Sequence, residues 1–343
     1  MRMEQLWDWV RFIGRRSVYL VIVLLGVSSV TFSVTHLLGN PVYLMVGMQA
    51  DQEMIDNMMH QMGLDRPIWE QYLSYLGNVA SGDLGISRHT YNPVAADIGR
   101  RLPATLELST AALLIGILWA VPMGLLGAMR QGGIADRVGS FTAQSGVAIP
   151  NFWLGLILIY LLFFKFQLVP APLGRIDIGM QPPPTRTGLY LVDAILAGEF
   201  EKIGSIVGHL ILPAVTLAFT ASPPIFRLTR DTVAKILNSD YIRAAHSYGF
   251  SEFTINFRHA LKNALLPVTM MIAMTYGYLM GGTVLVETVF AWPGLGLYAV
   301  DAMNHSDYEP IVGVVLLSAL IYVVIYFFTD ILHFAIDPRL RGE

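Results

Sequence analysis

The chain has 343 residues, of which 54% are hydrophobic and 14% charged, with a net charge of −3 and no cysteine. Soluble domains carry about 25% charged residues, so a water-facing globule, a disordered chain and a coiled coil are all excluded. The missing cysteines remove disulfides, thiolate metal sites and cysteine nucleophiles, and the charge balance gives no sign of nucleic-acid binding. A membrane-embedded protein remains.

Six stretches approach the roughly 20 apolar residues that cross a bilayer as a helix. The first, 17–38, holds no charge and follows Arg15 and Arg16; it is too long for a cleavable leader and reads as a retained span. The second is 104–129, interrupted by Glu107 and Pro122. The third, 138–169, is divided by Pro150 and Asn151 and reads as one span with a kinked lead-in. The fourth, 208–226, contains Pro213, Pro223 and Pro224, which membrane helices tolerate where neighbours satisfy the freed carbonyls. The fifth is 264–286 and the sixth is 311–334. With both termini inside, the inner segments hold 14 basic and 8 acidic residues, and the outer segments 8 basic and 14 acidic. The bias in basic residues orients the chain with its N- and C-termini in the cytoplasm.

The first outer segment, 39–103, is too large for a connector. It opens on a helical stretch, 51–62, with Met54, Met58 and Met62 on one face beside Met59 and His60. Thioethers and imidazole suit a soft metal, but a methionine stripe at helical spacing more simply packs an amphipathic helix on the membrane domain, so no metal ligand is assigned. A second helical stretch, 67–79, precedes the turn Gly82-Asp83-Leu84-Gly85. The second outer loop, 170–207, carries Pro170, Pro172 and Pro182-Pro183-Pro184, and reads as stiff and extended without a core of its own. The third opens on Ala291-Trp292-Pro293-Gly294-Leu295-Gly296, a turn that suits the membrane–water boundary.

The inner segment 227–263 carries six basic residues and helical character. Asp240 is placed to cap a helix start. Ile242, Ala245 and Tyr248 share a face at three-residue spacing, and Gly249 supplies the stop. A second helix, 252–262, is expected before Pro267 enters the fifth span. Gly277, Gly281 and Gly282 give the small-xxx-small spacing of close helix packing.

Arg243-Ala244-Ala245, three residues and Gly249 resemble the EAA loop of the permease subunits of binding-protein-dependent ABC importers. The flanking residues Asp240, Tyr241 and Phe250, Arg258 and His259, and the run to Pro267, are similar to the dipeptide/oligopeptide/nickel branch. So are Asn40-Pro41-Val42, Gly63-Leu64-Asp65-Arg66-Pro67, residues 101–108, and Glu287 through Trp292, Pro293, Gly294 and Gly296. Arg243, His259 and Lys262 depart from the general EAA pattern in the way that branch commonly does, and Asn40 stands where Asp is usual. The resemblance is greatest to the first permease of the pair.

That resemblance implies an all-α polytopic membrane protein of six transmembrane helices, like a type I ABC importer permease, in a bacterial inner membrane. Its parts would be 1–38 (tail and first span), 39–103 (extracytoplasmic segment) and 104–343 (core permease). It further implies a heterodimer with a second permease, two cytoplasmic ATPases holding ATP and magnesium, an extracytoplasmic substrate-binding protein, and no cofactor in this chain. The loop 240–262 would be the coupling element, with Ala244 and Ala245 allowing close approach and Arg243, Arg258 and Lys262 available to ATPase carboxylates. Peptides, nickel chelates and glutathione-like solutes are all carried in this branch. The alternative is a stand-alone channel or secondary carrier. Glu107, Glu287 and Asp330 lie near span ends, whereas a proton-coupled carrier usually holds a carboxylate near mid-membrane. No P-loop, Gly-x-Ser-x-Gly or His-Glu-x-x-His motif occurs, so the chain reads as a transport subunit and not an enzyme.

Overall fold

A computed structural model describes residues 2–37, 51–61 and 63–336. Asn40-Pro41-Val42 and Met62 lie outside the described residues. Helix accounts for the regular structure among them, with one isolated bridge between Ile86 and Pro93. Among the described residues, five helical segments are long and apolar enough to cross a membrane, six if a pair bent by 106° at Ile149–Pro150 counts as one span.

In chain order the helices are α1 (Arg2–Leu37), α2 (Gln52–Gln61), α3 (Ile68–Ser81), α4 (Val94–Met129), α5 (Ile134–Ala148) and α6 (Asn151–Leu158), which continues as a π-helix over Ile159–Lys165. After them come α7 (Tyr190–Ala197), α8 (Phe200–Ala221), α9 (Pro223–Leu237) and α10 (Asp240–Ser247). A second π-helix, Thr254–Leu261, runs into α11 (Lys262–Gly282), followed by α12 (Val284–Val289), α13 (Leu295–Asn304) and α14 (Tyr308–Ile336).

The chain divides into two compact units, residues 1–99 with 301–323, and residues 100–300 with 324–343. In the first, α3 rests on α1 through Tyr72, whose hydroxyl meets Ser28 and Ser29 at 3.0 and 2.7 Å, and through an edge contact of Tyr72 with Phe32. In the second, α9 packs on α5 and α11, and α6 packs on α8. Its core is rich in small side chains: Ala104, Ala112, Ala214 and Ala221 lie buried with Leu108, Leu217 and Trp292. Lipid tails are as apolar as leucine, so small residues that let backbones approach are what draw such helices together.

Several boundaries differ from the sequence reading. The second span's helix starts at Val94, ten residues before the apolar run, because Asp97, Arg100 and Arg101 do not interrupt a helix outside lipid; Pro103 lies within it. The prolines at 223 and 224 do not kink the fourth span. That helix ends at Ala221, and the prolines occupy the first turn of α9, where a missing N–H costs nothing. The segment expected as a separate helix at 252–262 is largely π-helical and continuous with the fifth span. The outer loop 170–207 is not a bare extended strap: it contains α7, the first turns of α8, and the buried side chains of Arg175 and Asp193. Among the described residues of α2, Ile55 is buried and Met58 and Met59 are half-buried at helical spacing from it, while Met54 is exposed, so only part of the methionine stripe lies on the packed face.

The helices α5 and α9 are joined by Asp136 and Arg230, with Nε–Oδ1 at 2.5 Å and Nη2–Oδ2 at 3.0 Å; Gly132 N donates to the same carboxylate at 2.8 Å. Arg230 Nη1 also reaches Asp231 Oδ1 at 2.9 Å and its side chain is 30% exposed, so losing Asp136 does not leave the guanidinium alone. Asp136→Asn should therefore destabilise the protein by only about 1–2 kcal/mol, and an apolar replacement of both residues by less, as read from thermal unfolding in detergent.

Candidate functional site

The inner loop is a small clamped helix. Ser239 stands at the N-cap position of α10 without a side-chain capping bond, so Asp240 is the first helical residue and not the cap. The Asp240 carboxylate instead pairs with Arg243 one turn on. Ile242 and Ala245 are buried with Ile255, whereas Tyr248 is 84% exposed, so the expected three-residue face does not extend to it. Gly249 ends the helix at φ +77°, with its N–H on His246 O at 2.9 Å, and Phe250 N reaches Ala245 O at 3.2 Å. Only a residue without Cβ takes that conformation freely.

Three contacts fasten this helix to the base of the fifth span. Asn263 Nδ2 donates to the Tyr241 hydroxyl at 3.0 Å, the rings of Phe250 and His259 meet edge-on at 5.6 Å, and Ile242 and Ala245 pack on Ile255. The exposed surface includes Tyr241, Ala244, His246, Tyr248, Phe250 and Arg258, with Asp240 and Arg243 exposed but paired to each other. Ala245 is 8% exposed and faces inward, so it does not present itself to a partner surface. Pro267 lies inside α11, a short way beyond the π-helix. Of the three glycines further along, Gly277 is buried, a Cβ on Gly281 would meet nothing within 4 Å, and one on Gly282 would meet only Tyr278.

The outer turn is built around a buried carboxylate. Glu287 is inaccessible to solvent and accepts four hydrogen bonds: from Thr105 Oγ1 at 2.7 Å, Thr283 Oγ1 at 3.0 Å, Gly296 N at 2.7 Å and Leu297 N at 3.1 Å. Thr105 Oγ1 in turn accepts from Leu295 N at 2.8 Å. Trp292 is fully buried, its indole donating to Ala104 O at 2.8 Å; it is not an aromatic at the water boundary. A Cβ on Gly294 would overlap Glu287 Oε2 and Thr105 Oγ1, and one on Gly296 would come within 2.6 Å of Val284 Cα. The run from Glu287 to Gly296 is thus a turn folded onto its own carboxylate, with Pro293 between the tryptophan and the first glycine.

A second buried charge sits nearby. Glu107 accepts from Arg175 at 2.5 Å and from Leu191 N at 2.8 Å, and Arg175 also donates to Gly188 O at 3.0 Å. The guanidinium lies 3.6 Å above the Tyr190 ring and 5.8 Å from that of Trp292. Loop 186–188 folds over Asp193, whose burial opposes its charge. Bonds from Thr187 N and Oγ1, Arg186 N and Gly188 N outweigh that burial and hold its carboxyl below the usual aspartate value. Thr105 and Arg175 have no local sequence signal as site residues, since their partners stand 182 and 68 positions away.

Residues 112–342 match the family described as binding-protein-dependent transport system inner membrane component, and residues 9–109 match its N-terminal membrane component. The chain belongs to this family. The permease is 39% identical to the dipeptide transport system permease protein of Alkalihalophilus pseudofirmus over 328 residues, 95% of this chain and 98% of that one. It is 37% identical to the di/tripeptide transport system permease protein of Pseudomonas aeruginosa, covering 97% and 99% of the two chains. It is 32% identical to the glutathione transport system permease protein of Escherichia coli O6:H1, over 96% and 98%. The permease is a multi-pass inner-membrane protein and a transport subunit, not an enzyme.

Because the Glu287 cluster is closed on every side, Gly294→Ala should lower stability by about 1–3 kcal/mol through overpacking. Thr105→Val should cost a similar amount by leaving Leu295 N unpaired. Thermal unfolding of the purified permease checks both, and Thr105→Ser should restore most of the loss.

Proposed function

We propose that the permease is one half of a heterodimeric translocation pathway for peptides of two or three residues. Both termini would lie in the cytoplasm, and the loop 240–262 would seat in a cytoplasmic ATPase. The names of the relatives support the substrate class: dipeptide and di/tripeptide systems stand at 35–39% identity, against 32% for glutathione. The excess of basic residues on the inner segments supports the orientation. Of the proposed parts 1–38, 39–103 and 104–343, the family regions at 9–109 and 112–342 support only a division near the second boundary.

The observation that carries the coupling role is the clamped helix α10. Its exposed face mixes Tyr241, Ala244 and Tyr248 with Asp240, Arg243 and His246, and its inner face is fixed to the helix that becomes the fifth span. In this reading ATP and magnesium sit on two partner ATPases, whose closure pushes α10. The push travels through Ile255 and Asn263 into the helix carrying Pro267, Gly277, Gly281 and Gly282, and rocks the spans between inward- and outward-open states. Asp240, Tyr241, Arg243, Ala244, Gly249, Phe250, Arg258 and His259 form or support the seat, and Ala245 keeps the helix against the loop. The turn of Glu287, Trp292, Pro293, Gly294 and Gly296 holds the outer end of the same moving element. Residues 39–103 and 170–207 offer the outer surface for a substrate-binding protein, the second of them braced by Arg175 and Asp193.

Ala244→Trp should abolish dipeptide uptake and ATPase co-purification while leaving the unfolding temperature unchanged, because Ala244 is exposed. Gly249→Val should strain the helix end by about 1–2 kcal/mol and cut uptake as well. Normal uptake by Ala244→Trp at normal membrane abundance would overturn the coupling role. Uptake that collapses with an uncoupler while ATP persists would point instead to a secondary carrier.

A further inference from the structure

We propose that His89, Asp301 and His305 form a binding site for a divalent transition ion of the zinc class on the outer face of the permease. One potential ligand atom from each residue lies within 4.8 Å of those from the other two. The three side chains are 40%, 48% and 46% exposed, so an ion reaches them without opening the fold. Two imidazoles and a carboxylate are a donor set for zinc, which leaves a fourth position for water or another ligand.

The arrangement is prepared beneath the ligands. Asp301 and His305 stand one turn apart at the end of α13. His305 Nδ1–H donates to Asp301 O at 2.8 Å, which fixes the tautomer and leaves Nε2 with its lone pair, the second-shell pattern of metal-ligating histidines. The His89 and His305 rings stack at 3.6 Å. Ligands about 2.0–2.1 Å from a tetrahedral ion stand roughly 3.4 Å apart, so binding draws the donors together from within 4.8 Å as the two rings turn out of their stack. Asp301 Oδ2 lies 3.7 Å from His89 Nε2, close to that ligand–ligand spacing, while its Oδ1 lies 3.8 Å from His305 Nδ1, the nitrogen held by the backbone.

The two segments that carry the ligands are also locked to each other. Asp307 is fully buried, and its Oδ2 accepts from Ser87 Oγ at 2.7 Å and from His89 N at 3.1 Å, while Oδ1 is buried without a hydrogen bond. Arg88 pairs with Glu309 at 2.9 Å. The loop that holds His89 is closed by Ser87 N to Asn92 O at 3.0 Å and by Thr90 Oγ1 to Asp97 at 2.6 Å. Asp301, Asp307 and Glu309 against Arg88 leave an excess of negative charge where the ion would sit. An ion there would staple loop 87–92 to the start of the last span's helix, which would make the outer face of the importer responsive to the metal.

The test uses the full-length permease in nanodiscs, purified through a histidine-free tag and stripped with a chelator. Zinc is titrated against a competing dye and cobalt followed by its visible spectrum. One zinc per chain is expected, with a tetrahedral cobalt spectrum and slower hydrogen exchange over 87–92 on binding. His89→Ala and His305→Ala should each weaken binding by more than about 100-fold, beyond what losing a supporting partner costs. His60→Ala, in the methionine-rich region, should leave binding unchanged. Metal-free unfolding temperatures equal to wild type confirm that the variants fold. Absence of saturable zinc binding at equimolar metal, or equal binding by the His89→Ala/His305→Ala double variant, would overturn the site.

Discussion

A carboxylate removed from water must be paired or fully hydrogen-bonded, since an uncompensated charge in a low-dielectric interior costs several kcal/mol. Glu287 meets that demand with two hydroxyls and two backbone amides, contributed by α4, the end of the fifth span and the turn that opens α13. None of these donors can leave without stranding the acid, so the acid fixes the mutual position of three segments far apart in sequence. The glycines around it follow from the same requirement. At Gly294 and Gly296 a side chain would occupy the space the carboxylate and the threonine need, and Trp292 closes the cluster by donating to the backbone of the residue before Thr105.

The same device recurs where the second unit needs a joint. Arg175 ties the proline-rich outer loop to Glu107, and Arg230 ties α9 to Asp136. Between these joints the packing is carried by alanine, leucine and close backbone approach. The division is physically sensible for a protein in lipid. Apolar contact does not discriminate one helix register from another where the solvent is itself apolar, whereas a buried ion pair or a four-fold hydrogen-bonded acid accepts only one arrangement.

Much of the fold was legible because span-length apolar runs are the strongest sequence signal a membrane protein offers. The break at Pro150 was readable for the same reason that a proline excludes a continuous helix. What escaped had its cause outside the local window. Val94 begins the second helix although polar residues fill its first turns, since a helix that emerges from lipid need not stop being a helix. Pro223 and Pro224 look like interruptions within an apolar run until Ser222 is seen to separate two helices. Trp292 reads as an interfacial aromatic because neither its indole's partner, 188 residues away, nor the acid beside it can be inferred from spacing. At the inner loop the glycine and the helix were readable. The inward turn of Ala245 was not, because it depends on Ile255 across the turn.

The placement of Ala245 bears on how a push at the inner loop would travel. Had both alanines faced outward, the short helix would have rested on the permease through its ends alone and could pivot under load. With Ile242 and Ala245 packed on Ile255, and Tyr241 bonded to Asn263, the helix and the base of the fifth span form one body. Those contacts bracket the π-helical stretch, so the next compliant element along the chain is Pro267 beyond it, where the helix lacks one backbone N–H. Under the proposed coupling role, motion delivered to α10 would pass into the span and bend it at Pro267, while Glu287 and its donors hold the far end. A fixed end, a yielding point and a rigid handle are what a lever needs, and the proposal assigns each to a separate, locally satisfied set of contacts.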